Sequence, residues 1–230
     1  MAEVIIALDL PRASEALALL DRLPDARWVK VGSILMTREG PTFVRTLIGR
    51  GLSVFLDLKW HDIPNTVAEA VMAARELGVS MATLHTLGGA TMMEGAAVAA
   101  GGELALVGVT VLTSHDVASY GRALGRSDID LESEVRRHAA AAIEAGLDGV
   151  VCSPQEVALV RKQVGEGPQV VVPGIRRRSD PLADQVRVAG ARDAVADGAT
   201  HLVVGRPVLQ AQDPAAAFRE FLEEARCVVS

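Results

Sequence analysis

Short apolar runs rich in β-branched residues recur along this chain, at about 3–9, 26–32, 53–59, 81–87, 104–112, 149–153, 170–175 and 201–206. Most are continuous rather than alternating, which is the pattern of strands covered on both faces, as in a parallel sheet. Between them lie amphipathic segments with helical spacing, such as Ser14–Leu23, Val67–Leu77, Glu132–Ala145 and Pro214–Ala225. Parallel neighbours need a crossover connection, usually a helix. Strand–helix units repeated through 230 residues therefore predict an α/β chain folded as a (β/α)8 TIM barrel, one domain over 1–230. The competing fold is a doubly wound open sheet. For a dinucleotide it would carry a Gly-x-Gly-x-x-Gly turn after the first strand, and here Asp9-Leu10-Pro11-Arg12 follows instead. No linker, charge run or low-complexity segment divides the chain.

The third run, Val54-Phe55-Leu56-Asp57-Leu58-Lys59, is apolar except where it carries charge. Side chains alternate along a strand, so Asp57 and Lys59 share one face and Leu56 and Leu58 the other. Asp62 follows within a turn, and Pro64 suits the first turn of a helix. Minus, plus and minus charges are thus expected within a few ångströms at the end of a buried strand. Buried charge is costly unless paired or used. The stretch reads either as a catalytic array or as a structural ion pair with Asp62 as a helix N-cap.

Other strand ends add polar residues to the same rim: Asp9, Lys30, Thr110, Thr113, Arg176 and Gly205-Arg206. Gly205 would let a backbone N–H approach a phosphate closely, and Arg206 with Arg176 could grip it in bidentate fashion. Phosphate sites at the last two loops are frequent in this architecture. Two connections are long, 113–131 and 176–190, and loops there carry lids and ligand contacts. His85 reads as a core histidine, His61 as pointing away from the array, and His115 and His201 as loop and strand-edge residues. No His or Cys pair has metal-site spacing, so no metal is expected.

Net charge of −6 and a pI near 5.4 argue against a general nucleic-acid binder. The N-terminus lacks a signal-peptide pattern, and no run approaches the roughly 18 apolar residues of a membrane span. Cys152 and Cys227 suggest no disulfide framework. A cytoplasmic protein is expected, with no nucleic-acid or membrane partner.

With these motifs in hand, the chain resembles the orotidine 5′-monophosphate decarboxylase family along nearly its whole length. The resemblance rests on Ala7-Leu8-Asp9, Val29-Lys30-Val31-Gly32 and Phe55-Leu56-Asp57-Leu58-Lys59 with His61-Asp62-Ile63-Pro64-Asn65-Thr66. It continues through Val109–Ser114, Val151-Cys152-Ser153, Val172–Arg176, Asp184-Gln185 and Val204-Gly205-Arg206-Pro207. It implies decarboxylation of orotidine 5′-monophosphate to UMP in pyrimidine biosynthesis, by a homodimer using no cofactor or metal. Lys59 matches the lysine that protonates C6, and Asp57 the carboxylate facing the substrate carboxylate. Lys30 and Asp9 match residues that hold the ribose and extend the charge array. Asp62 matches an aspartate reaching into the partner's site, with Ile63 and Thr66 beside it. Thr113 matches a pyrimidine contact, Gln185 a bridge between base and phosphate, and Arg176, Gly205 and Arg206 the phosphate grip. The 176–190 loop is expected to order on ligand. One departure is Val188-Ala189-Gly190-Ala191, where many relatives carry Thr-Pro.

Two alternatives stand beside this. A metal-dependent phosphosugar decarboxylase or aldolase of the same superfamily shares the Asp-x-Lys-x-x-Asp core, but usually has an acidic metal ligand where Lys30 stands. A non-catalytic phosphate-ligand sensor would not need Asp9, Lys30, Asp57, Lys59 and Asp62 together.

Overall fold

The computed structural model describes residues 1–177 and 190–226. Eight parallel strands close into a barrel in sequence order: β1 (Glu3–Ala7), β2 (Trp28–Gly32), β3 (Ser53–Trp60), β4 (Met81–His85), β5 (Ala105–Val109), β6 (Gly149–Val151), β7 (Gln169–Val172) and β8 (His201–Val204). β8 returns to β1 with Val4 beside Leu202 and Ile6 beside Val204, which leaves no sheet edge. The expected (β/α)8 barrel is what the chain forms.

Alternation along the strands sorts the core into two populations. Ile5, Ala7, Phe55, Met81, Val107, Val171 and Val203 pack together inside the barrel. Their neighbours Val4, Ile6, Leu56, Ala82, Leu106, Val172 and Leu202 face outward into the larger core under the helices. Both faces of each strand are thereby dry, which is why the runs are continuous rather than alternating.

The helices are α1 (Ala13–Leu20), α2 (Ser33–Gly49), α3 (Pro64–Glu76), α4 (Ala90–Ala100), α5 (Val117–Leu124), α6 (Leu131–Glu144), α7 (Val157–Val164), α8 (Ala191–Ala196), α9 (Arg206–Leu209) and α10 (Pro214–Arg226). Within α2 the helix breaks at Gly40 (φ 65°, ψ −166°), just before Pro41, where the missing proline N–H and its ring cannot continue the ladder. The long connection at 113–131 contains α5, opened by a reciprocal Asp116–Ser119 capping box and closed by left-handed Gly125.

Most apolar runs extend past the strands they contain. β1 ends at Ala7 and β5 at Val109, whereas the runs continue to residues 9 and 112. The surplus residues leave the sheet at its carboxyl end, where several line the cleft described below.

At the opposite end, buried Arg161 of α7 staples the turns that lead into β7 and β8. Its guanidinium donates to the carbonyls of Gly165 (2.7 Å), Pro168 (2.9 Å) and Gly198 (2.7 and 3.3 Å).

Candidate active site

A cleft of about 240 Å³ opens at the carboxyl ends of the strands. Its floor is the top of the inner core, including Ala7, Phe55, Val151, Val171 and Val203. Its walls carry Asp9, Lys30, Asp57, Lys59, Thr113, Arg176, Gly205 and Arg206. Every one of these polar residues was expected at this rim. Strand periodicity brings them together: Asp57 lies two residues beyond inward-facing Phe55, and Asp9 two beyond Ala7.

The charges are paired within the sheet. Lys30 Nζ lies 2.9 Å from Asp9 Oδ1 and 3.5 Å from Asp57 Oδ2. Lys59 Nζ donates to Asp57 Oδ1 at 2.8 Å. Burial opposes the charge on Lys30, but Asp57 and Asp9 outweigh it and hold its pKa above the usual lysine value. Burial likewise opposes ionisation of Asp57, and the Lys30 and Lys59 ammonium groups, with the Thr83 hydroxyl, hold it below the usual carboxylate range. Lys30 and Asp57 are therefore both charged near neutral pH.

Lys59 reaches this position through an irregular backbone. Leu56 pairs with Ala82 and Trp60 with Leu84, so Asp57, Leu58 and Lys59 stand against Thr83 alone. Lys59 takes up the surplus with φ at 51°, the one positive φ outside glycine among the described residues. Such a conformation costs about 1 kcal/mol or more and is concentrated at functional sites. Its N–H donates to Thr83 Oγ1 at 2.8 Å.

The arginine side is built from connections rather than strands. Arg176 is buried and Arg206 half-buried at the start of α9. Gly205 lies against the inner wall: a Cβ there would touch Ala7 Cβ at 3.4 Å and Asp9 Oδ2 at 3.7 Å, ordinary contact distances.

Not every expected residue joins the cleft. Asp62, Ile63 and Thr66 are exposed and absent from its lining, Ile63 being 67% exposed. Asp62 is not an N-cap: Pro64 opens α3, which makes Ile63 the capping position, and the Asp62 carboxylate instead accepts from the Ile63 N–H at 2.7 Å. Nor does it form the third member of a compact charge array, since among the described residues it makes no ion pair within its own chain. Gln185 lies outside the described residues, as do Cys227 and positions 178–189 of the expected loop. Thr110 is turned from the rim and donates to the Val151 carbonyl at 3.0 Å, a sheet contact.

The histidines are mostly structural. His85 stacks on His61 at 5.7 Å, and burial followed by that neighbouring ring pushes it down to about 4. His201 is buried edge-on to Trp28 and also pushed down to about 4 by burial. Sequence reasoning missed Thr83 and a buried network in which His138 meets Thr86 (3.0 Å) and Tyr120 (3.2 Å). A threonine inside a strand carries no signal of a polar role until its partners are in place. Among the described residues, no three His, Cys, Asp or Glu side chains gather as a metal site, and no helix is long and apolar enough to cross a membrane.

The orotidine 5′-phosphate decarboxylase of Alkalilimnicola ehrlichii is 50% identical over 225 residues, covering 96% of this chain and 95% of that protein. That of Halorhodospira halophila is 50% identical over 218 residues, covering 93% and 92%. The crystal structure of orotidine 5′-phosphate decarboxylase from Lactobacillus acidophilus superposes with a TM-score of 0.88 at 34% identity, covering 99% of this chain and all of that one. The family model described as orotidine 5′-phosphate decarboxylase / HUMPS matches residues 2–221, and the chain belongs to that family.

Proposed function

We propose that this protein is a carboxy-lyase that converts orotidine 5′-monophosphate to UMP and carbon dioxide in pyrimidine biosynthesis, acting in the cytoplasm as a homodimer of one-domain barrels. The observation that carries the reading is the Asp9–Lys30–Asp57–Lys59 chain of ion pairs on the inner wall, facing Arg176 and Arg206 across one cleft.

Breaking the bond between C6 and the carboxylate leaves an electron pair on C6 with no adjacent carbonyl to delocalise it as in a β-keto acid. In this reading the Lys59 ammonium stabilises that pair and then donates a proton to C6, regaining its own from water. Two unit charges about 4 Å apart attract by roughly 4 kcal/mol at an effective dielectric near 20. At about 1.36 kcal/mol per tenfold, one ammonium can contribute on the order of a thousandfold in rate. Asp57 fixes Lys59 and faces the departing carboxylate. Lys30 and Asp9 hold the ribose hydroxyls, Thr113 meets the base, and Gln185 spans base and phosphate. Arg176, Arg206 and the Gly205 backbone hold the phosphate, whose binding free energy positions the base. The exposed Asp62, Ile63 and Thr66 belong, in this reading, to the partner's cleft.

The test is an ultraviolet assay of orotidine 5′-monophosphate in excess EDTA, with Lys59→Ala beside the wild type. Loss of the orotate chromophore with the wild type, slowed about a thousandfold or more in the variant, is expected. No loss with the wild type overturns the reading and directs attention to phosphosugars with magnesium. Mixed dimers test the sharing of sites. Lys59→Ala and Asp62→Ala protomers, each impaired alone, should regain activity when combined, because one hybrid site then holds both residues.

A further inference from the structure

Thr83 lies behind the cleft rather than in its lining, fully buried on β4. On the same strand Met81 packs in the inner core while Ala82 and Leu84 belong to the outer one, so Thr83 points toward the barrel interior. Its hydroxyl has two polar neighbours there: the Lys59 N–H at 2.8 Å and Asp57 Oδ1 at 3.0 Å.

The directions of these two bonds are forced. A backbone N–H can only donate and an ionised carboxylate can only accept. Thr83 Oγ1 must therefore accept from Lys59 and give its own proton to Asp57. The first bond satisfies an amide that the surplus residues of β3 have taken out of the regular ladder, where an unpaired N–H would be costly. It also ties down the residue whose φ is 51°. The second bond fixes the carboxylate that Lys59 Nζ itself grips at 2.8 Å. Both ends of the Lys59 residue, backbone and ammonium, are thus referred to one hydroxyl.

Resting on the decarboxylase reading above, we propose that Thr83 is a positioning residue for the reaction: its hydroxyl sets where the Lys59 ammonium stands, through the Lys59 amide and the Asp57 carboxylate together. Lys59 remains the group that touches substrate. Thr83→Val keeps the shape and removes both bonds, whereas Thr83→Ser keeps the hydroxyl.

The experiment compares kcat, KM, UMP affinity and Lys59 amide hydrogen exchange in wild type, Thr83→Val and Thr83→Ser. A small misplacement of a reacting group is worth up to about a hundredfold, so kcat should fall about ten- to hundredfold in Thr83→Val. KM and the UMP dissociation constant should stay within about threefold, because the phosphate contacts are untouched. Thr83→Ser should recover kcat to within about threefold of the wild type, and the Lys59 amide should exchange slowly in both. A merely structural threonine would lower thermal stability while leaving kcat per folded molecule unchanged, and that result overturns the proposal. So does a folded Thr83→Ser as impaired as Thr83→Val. If Thr83→Val does not fold, the serine variant and the wild-type exchange rate decide, and rapid exchange at the hydrogen-bonded Lys59 amide counts against the proposal. A wild type that leaves orotidine 5′-monophosphate intact fails the decarboxylase reading itself. An active wild type with an equally active valine variant fails only the role of Thr83.

Discussion

The two ends of this barrel both bury cations, and they satisfy them in different ways. At the amino end Arg161 is surrounded by the carbonyls of Gly165, Pro168 and Gly198, none of which titrates. At the carboxyl end Lys30 and Lys59 face Asp9 and Asp57, which do. Neutral carbonyls hold a charge in place without giving it anything to exchange. Carboxylates hold it and also couple it to pH, to each other and to whatever enters the cleft. The difference separates a charge used for stability from charges available for chemistry, on the division of labour common to such barrels.

Breaking the amino-end staple should have the largest effect on stability. Arg161→Met removes the charge-assisted hydrogen bonds from a buried guanidinium to the carbonyls of Gly165, Pro168 and Gly198 and should cost about 3 kcal/mol, read by chemical denaturation, with kcat per folded molecule unchanged. A matching loss of activity would erase the distinction between the two ends. Next in size, Arg206→Ala would remove the charge-assisted phosphate contact proposed above, worth about 2 kcal/mol. It should raise KM for orotidine 5′-monophosphate about thirtyfold, with little change in the melting temperature. The smallest effect sharpens the electrostatic half of the comparison. Lys30→Met removes one of the two ammonium groups that depress the Asp57 pKa. A depressed carboxylate adds stability above its unfolded pKa, near 3.9, and loses it as pH falls through the folded value. With the folded value raised toward the unfolded one in the variant, less stability should be lost as the pH falls below about 3.9. Lys30 itself, with its pKa raised, adds stability below its unfolded value and loses it as pH rises through the folded one. That alkaline loss should be absent from the variant. A Lys30→Met profile superposing on the wild type at both extremes would mean the ion pairs carry no coupling.

The barrel was legible because continuous apolar runs and helical spacing are long-range signals that single residues cannot disguise. The cleft wall was legible for a related reason: charge at the end of an otherwise apolar strand, as at Asp57 and Lys59, has to face something. Asp62 shows where such reasoning stops. Its spacing from Lys59 suggested a compact array and an N-cap, but Pro64 placed the cap at Ile63 and the side chain turned to the Ile63 N–H. Two local preferences competed there, and the backbone constraint of proline won. Thr83 was invisible for a different reason. Its role arises from the unequal pairing of β3 with β4, and no periodicity in either strand announces a mismatch between them. Thr110, read as a rim residue, is fully buried just past the end of β5 and spends its hydroxyl on the Val151 carbonyl of the neighbouring strand.

The left-handed backbone at Lys59 has a consequence for redesign of this sequence. A lysine held at φ 51° is less stable there than glycine would be, by about 1 kcal/mol. Lys59→Gly would relax the backbone, but it would also remove the ammonium that pairs with Asp57 at 2.8 Å. A conformational gain of about 1 kcal/mol is thus set against a buried carboxylate left with one cation fewer. In the proposed decarboxylase the same exchange would also remove the proton donor, so a redesign guided by backbone strain alone would discard the group that reaction needs.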